Sequence, residues 1–410
     1  MTFLPWAPAT QTASLRPAQI LPHTVTPPRT DVIVVGAGPA GSATALRLVR
    51  RGLRVVLLER RRFLEPHNDR LRSGEGLIPA TQRALAALDL PADPSTWELD
   101  TISHIQMHWP NGTVATCPVG ERGGVVQVDR EQLDYALYDA ALQAGVVGLQ
   151  GWRARALQRD QRGQVVGVWA QAIDRKPVLL RAALVVDAGG RSAGSMRELP
   201  IRTDDNNGQF MAICMFFDQV HDLIPGHWEM HMLDEQHLAV VQLSQLRRGV
   251  VRCALGAPWG MLGTPACHPR ELFQRCIARN TGLAERLAAS TVIGTPYIRA
   301  KIGYAVRDVV FDGLLLVGDA TGYVNPLFGD GILRALRSAE RAASAISGAL
   351  EHGDTSRAGL AGYARSHAVA YQRDRLLHWG LNVAARSPRA LGSVAGLPSL
   401  QRAGLAALIH

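Results

Sequence analysis

Lysine is nearly missing from this chain: of its 44 basic residues only Lys176 and Lys301 are lysines, and the rest are arginines. That bias follows genome composition more readily than function. No arginine run is interleaved with stacking aromatics, so the formal net charge of +9 does not point to nucleic acid. Cysteine is sparse too. The five, Cys117, Cys214, Cys253, Cys267 and Cys276, are odd in number and contain no C-x-x-C pair, which argues against a disulfide framework and gives no zinc signature. No run of about eighteen apolar residues escapes a charge or a breaker, so no integral membrane segment is expected. Residues 1–30 are proline-rich and lack the charged start and apolar run of a secretory signal, so they read as a disordered tail on a cytoplasmic protein.

What remains is ordinary for a soluble α/β protein: 410 residues, 47% hydrophobic and 19% charged, enough for two or three domains. A buried-strand pattern at 31–35, a helical stretch at 39–51 and a second apolar run at 54–59 read as a βαβ unit. Helices are expected at 79–88, 130–145, 270–289 and 332–350, and after 354. Short strands are expected across 105–126, near 165–168 and 184–187, and through 210–217, 227–233, 238–243 and 249–255.

Gly36, Gly38 and Gly41 form a G-x-G-x-x-G between the first strand and helix, the context in which that motif is informative. Gly36 makes the tight turn, Gly38 lets backbone approach a pyrophosphate, and Gly41 permits close packing. Ala37, Pro39 and Ala40 complete a loop whose helix N-terminus faces the negative charge. Glu59, with Arg60 beside it, ends the second strand where a ribose diol would sit. The unit alone does not separate FAD from NAD.

A second block runs from Asp312 through Gly318, Asp319, Pro326, Gly329 and Gly331 to Ile332. It resembles the C-terminal flavin motif of the FAD-dependent family that includes aromatic hydroxylases of the p-hydroxybenzoate hydroxylase type, geranylgeranyl reductases and flavin-dependent halogenases. The resemblance implies that the Asp319 carboxylate holds the ribitol and that the helix opening near Gly331 points its N-terminus at the flavin pyrimidine ring. There the helix dipole favours the anionic reduced flavin. Arg72, Gly74 and Glu75 look like a flavin-side loop of the same family, and Arg130 like the helix-start arginine near the FAD phosphates. Glu75, Arg72 and Asp330 are the groups expected closest to the ring.

The implied fold is a Rossmann-like FAD-binding domain in two parts, 31–198 and 301–350. An inserted mixed β-sheet substrate domain fills 199–300 and C-terminal helices fill 351–410. The resemblance has gaps. Asp187, Gly189 and Gly190 follow the reductase and halogenase form rather than the hydroxylase form. The aromatic signatures of halogenases and prenyl reductases are both missing near 237–243, and no lysine lies near Glu75 to serve halogenation.

The activity expected is therefore a monooxygenase that inserts one oxygen into a small organic substrate through a flavin C4a-hydroperoxide. The alternative is a geranylgeranyl reductase-like prenyl or olefin reductase, with a halogenase or a non-catalytic flavoprotein as lesser readings. A single G-x-G-x-x-G implies that electrons come from transiently bound NAD(P)H or from a partner flavin reductase. His227, Glu229 and His231 alternate and would share a strand face, a ligand-like spacing read here as pocket or surface lining, with no metal expected. The Cys267 and His268 pair receives no role.

Overall fold

The computed structural model describes residues 30–64, 76–120, 123–173, 175–192, 199, 202–204, 210–233, 239–246, 249–258, 269–302, 304–323 and 330–385. Of the expected tail, residues 1–29 lie outside this set, while Thr30 already belongs to the first strand. That strand, Thr30–Val35, carries four apolar residues in a row, Val32 to Val35, because it is covered on both faces, as central parallel strands are. It pairs in parallel with Val55–Glu59 on one side and Val178–Asp187 on the other, and Val147–Gln150 and Leu314–Leu316 extend the parallel order outward.

The helices are named α1 (Pro39–Val49), α2 (Pro79–Ala86), α3 (Arg130–Gln143), α4 (Pro269–Ile277), α5 (Thr281–Ala288), α6 (Gly331–Glu351) and α7 (Ala361–Ala385). Alternation of strand side chains sorts the two faces of the parallel sheet. Val32, Val34, Leu57 and Val186 meet α1, α3 and α6, where Leu46, Leu137 and Ile346 are fully buried. Ile33, Val56 and Val185 point the other way, onto an antiparallel meander of Trp152–Arg159 and Val165–Ala172. The fold is thus a three-layer α/β arrangement with a β-meander as its third layer.

A second, mixed sheet of seven strands runs in the order Thr291–Ile302, Phe210–Asp218, Val251–Pro258, Val240–Gln245, His227–Met232, His104–His108, Val114–Pro118. Its last two strands come from chain well before residue 199, and His104–His108 joins His227–Met232 in parallel. One face is sealed by α4 and α5 through Phe273, Cys276, Leu283 and Leu287. The single helix expected over 270–289 is broken. Asn280 leaves helical geometry, its Oδ1 accepts the Leu283 N–H at 3.0 Å, and the chain restarts as α5.

Candidate functional site

Three loops meet at the carboxyl ends of the parallel strands, the place where open α/β sheets bind ligands. Gly36 turns with φ +99°, and a Cβ there would lie 2.6 Å from the Ala188 carbonyl oxygen. A Cβ on Gly41 would lie 1.7 Å from the Gly36 carbonyl oxygen, so the loop closes on itself only with glycine. Gly318, at φ +61°, brings the second motif against the first, since a Cβ on it would sit 2.7 Å from the Ala40 Cβ. Between them Asp187 braces its own loop by accepting the Gly189 N–H at 2.8 Å, and its carbonyl accepts the Val317 N–H at 3.1 Å.

Gly38 is the exception: a Cβ there would meet nothing within 4 Å. It is the N-cap of α1, no side chain caps that helix, and Pro39 follows. A helix N-terminus that opens onto free space and lacks a side-chain cap is a ready anion site.

Glu59 is buried at the end of its strand and tied to the loop, its Oε2 accepting the Ala37 N–H at 2.9 Å. Its Oε1 accepts the Arg61 N–H at 3.0 Å and the Arg61 Nε–H at 3.2 Å. Arg61, which the motif reasoning passed over, is therefore the partner of Glu59, while Arg60 is exposed. Arg130 opens α3 behind the Asp129 N-cap and pairs with the buried Asp134 at 2.9 Å.

The second motif is held from outside the sequence neighbourhood. The Gly318 N–H donates to Ser338 Oγ on α6 at 2.9 Å, and Thr321 Oγ1 donates to the Gly318 carbonyl at 2.8 Å. The Tyr304 hydroxyl donates to the Asp319 carbonyl, and the Tyr363 hydroxyl on α7 donates to the Leu316 carbonyl at 2.6 Å. Tyr363, His367 and Tyr371 form a stacked row one turn apart, and Tyr371 donates to the Tyr304 carbonyl at 3.3 Å. No local pattern marks Ser338, Tyr304 or Tyr363, because each acts across a long stretch of chain.

Asp330 is the N-cap of α6 but makes no capping bond, and its Oδ1 is buried without a hydrogen-bond partner among the described residues. Burial raises its pKa; the charge of Arg334 opposes this, and those of Asp374 and Asp319 add to it. Arg334 is itself paired with Asp374 of α7 at 3.3 Å. Ile332 and Leu333 are buried in the next turn, and Leu333 packs on Ile78 and Ala80 at the start of α2. Arg72, Gly74, Glu75, Pro326 and Gly329 lie outside the described residues, as do Cys267 and His268. The chain returns at Gly76, where a Cβ would lie 2.2 Å from the Trp228 ring, so the seven-stranded sheet presses directly on this segment.

Space at Gly38, converging loops and a second helix N-terminus with an unanswered buried carboxyl suit a dinucleotide cofactor lying along the strand ends, and this is a flavoprotein fold. The chain belongs to the FAD binding domain family, whose model matches residues 29–373, and it is an FAD-dependent oxidoreductase. It is 29% identical over 350 residues to a digeranylgeranylglycerophospholipid reductase of Methanothrix thermoacetophila, covering 82% of each chain. In fold it resembles a flavin-dependent brominase, with a TM-score of 0.79 at 20% identity over 93% of each chain. It also resembles a geranylgeranyl bacteriochlorophyll reductase-like protein of Thermoplasma acidophilum, with a TM-score of 0.75 at 22% identity over 90% of this chain and 91% of that one. No helix among the described residues is long and apolar enough to cross a membrane.

Proposed function

We propose that the protein is a flavin-dependent reductase that saturates carbon–carbon double bonds of a prenyl-type substrate. The observation that carries this reading is the similarity, over 82% of each chain, to a digeranylgeranylglycerophospholipid reductase, which favours the reductase alternative over the oxygen insertion expected first. The sheet face toward the flavin side agrees with it. Ile105, Met107, Trp228 and Met230 cluster there with Ile78 and Leu333, an apolar lining suited to a hydrocarbon chain.

In this reading the α1 N-terminus at Gly38 receives the FAD pyrophosphate, Glu59 and Arg61 border the ribose, Arg130 stands near the phosphates and Asp319 holds the ribitol. The α6 N-terminus at Gly331 and Ile332 faces the ring. Bound reduced flavin supplies the hydride. Asp330, whose carboxyl burial makes easier to protonate, supplies the accompanying proton, with Arg72 and Glu75 completing the ring-side set by sequence position. The electrons come from NAD(P)H or from a partner reductase.

The test is to reduce the holoprotein chemically under argon and supply geranylgeranyl diphosphate or a geranylgeranylated glycerolipid, then read double-bond saturation by mass spectrometry. Saturation without oxygen is expected. No saturated product under argon, together with an oxygenated or halogenated product in air, would overturn the proposal.

A further inference from the structure

The seven-stranded sheet carries a polar cluster on the face turned away from the flavin loops. Because His104–His108 and His227–Met232 run parallel in register, His104 stands opposite His227, Gln106 opposite Glu229, and His108 opposite His231. His231 and Glu229 are only 5% and 3% exposed, beside Val241 and Leu243 on the face that α5 covers. The rings of His108 and His231 stack at 4.2 Å, nearly parallel, and His231 Nε2 lies 3.0 Å from Glu229 Oε2. One ligand atom from each of His108, Glu229 and His231 can be chosen so that all lie within 4.8 Å of one another.

Arg286 of α5 reaches in from the far side. Its fork donates to Glu229 Oε2 at 2.7 Å and Oε1 at 3.1 Å, and it also donates to the backbone carbonyls of His221 and Asp222 at 3.3 and 3.0 Å. That arrangement orients the carboxylate and satisfies the guanidinium, but it leaves His108 Nε2 buried without a hydrogen-bond partner among the described residues. An unanswered nitrogen next to an oriented carboxylate and a second imidazole is an unfinished constellation.

We propose that His108, Glu229 and His231 bind a divalent cation of the zinc class, through Nε2 of each histidine and one carboxylate oxygen, with water completing the shell and Arg286 holding the carboxylate from outside it. Two imidazoles and a carboxylate are a borderline ligand set of the kind zinc takes with an open position. Bonds of about 2.0–2.2 Å in tetrahedral geometry separate ligand atoms by roughly 3.3 Å, so the group must draw together and the His108 ring must turn out of its stack on His231 for both lone pairs to meet one ion. Hydrogen bonding of a ligating carboxylate by an outer group is the usual way such ligands are oriented.

The protonation states agree. Burial, then the neighbouring His231 and Arg286, lower the His108 pKa against the opposing pull of Glu229, which leaves its nitrogen lone pair available at neutral pH. Burial opposes ionisation of Glu229, yet hydrogen bonds from His231 and Arg286 outweigh it and lower its pKa to about 2. The cation would displace the Nε2 proton that His231 shares with Glu229, to solvent, while Arg286 keeps its hold on the carboxylate. The Arg286 charge works against a second cation, so micromolar rather than nanomolar affinity is expected. The cation would tie α5 to both strands from the side remote from the flavin.

The test uses FAD-loaded protein freed of metal by chelator and dialysed against zinc chloride, then against cobalt chloride. The parent should hold one more equivalent than His108→Gln, which keeps the Glu229 and Arg286 pair, and the variant should bind at least tenfold more weakly. Bound cobalt should give visible ligand-field absorption in the parent that the variant lacks. Should the variant misfold, modification of the parent by diethyl pyrocarbonate serves instead, with zinc expected to protect His108 and His231 beyond the other histidines. Equal metal content and spectra in parent and variant, or no zinc-dependent protection of His108 and His231, would overturn the site.

Discussion

Gly318 rests against Ala40 so closely that a Cβ on the glycine would lie 2.7 Å from the alanine Cβ, which makes the two glycine motifs one surface. Gly38, a few residues away, has nothing within 4 Å of where its Cβ would be. These glycines are therefore needed for different reasons, and substitutions should separate them. Gly318→Ala must adopt a left-handed backbone at φ +61° and push on Ala40, which should cost about 1–3 kcal/mol of stability and lower FAD retention together. Gly38→Val should leave thermal unfolding of the FAD-free protein nearly unchanged yet abolish FAD retention at micromolar concentrations. A Gly38→Val protein that stays yellow would remove the phosphate from that helix end.

Asp330 offers a test of the proton assigned to it. Asp330→Asn keeps the shape of the α6 N-terminus and removes the ionisable group, so FAD should remain bound while anaerobic turnover falls by about two to four decades. Flavin absorbance and single-turnover product formation are the measurements. Unchanged turnover would take the proton from Asp330.

His367 links α7 to the second glycine motif, at Thr321, in a way that depends on pH. Burial, then the charges of Arg341 and Arg334, push its pKa down to about 4, against the opposing backbone contact with Thr321. In the unfolded chain the imidazole titrates near its ordinary value of 6.5. Between these values the unfolded state binds more protons, so stability is highest above about 6.5 and falls as pH drops toward 4, by roughly 2–3 kcal/mol. Urea unfolding at pH 7 and pH 4.5 should show this loss in the parent, and His367→Gln should flatten part of it.

Gly76 and Trp228 should behave as a coupled pair. A Cβ at Gly76 would lie 2.2 Å from the indole, so Gly76→Ala alone should displace Trp228, shift its fluorescence and destabilise by about 1–3 kcal/mol. Trp228→Leu alone opens a cavity. Combined, the two changes should cost less than their sum, with a coupling energy of about 0.5–3 kcal/mol in a double-mutant cycle. Additive effects would mean that the sheet does not bear on the segment leading from Glu75.

Much of the parallel-sheet half was legible along the chain, since its signals are local. A buried strand, a glycine turn and an apolar helix follow one another within residues 30–49, and Glu59 closes the unit at the next strand end. The break within 270–289 also has a local signal, since Asn280 is a residue type that favours a helix N-cap. Other relationships could not be read from the sequence at all. Ser338 under Gly318, Tyr304 on Asp319 and Tyr363 on Leu316 are ordinary hydroxyls that acquire a partner only when distant segments pack. The alternation of Glu229 and His231 is visible in sequence, but it is a parallel strand pairing, across more than a hundred residues, that delivers His108 to them and leaves His227 stacked on His104 instead. Backbone conformation and side-chain period are set by near neighbours, and these the sequence determined by itself. Which faces meet, and so which polar groups are satisfied and which are left waiting, depends on the register and layering of whole sheets, and only the tertiary structure decided that.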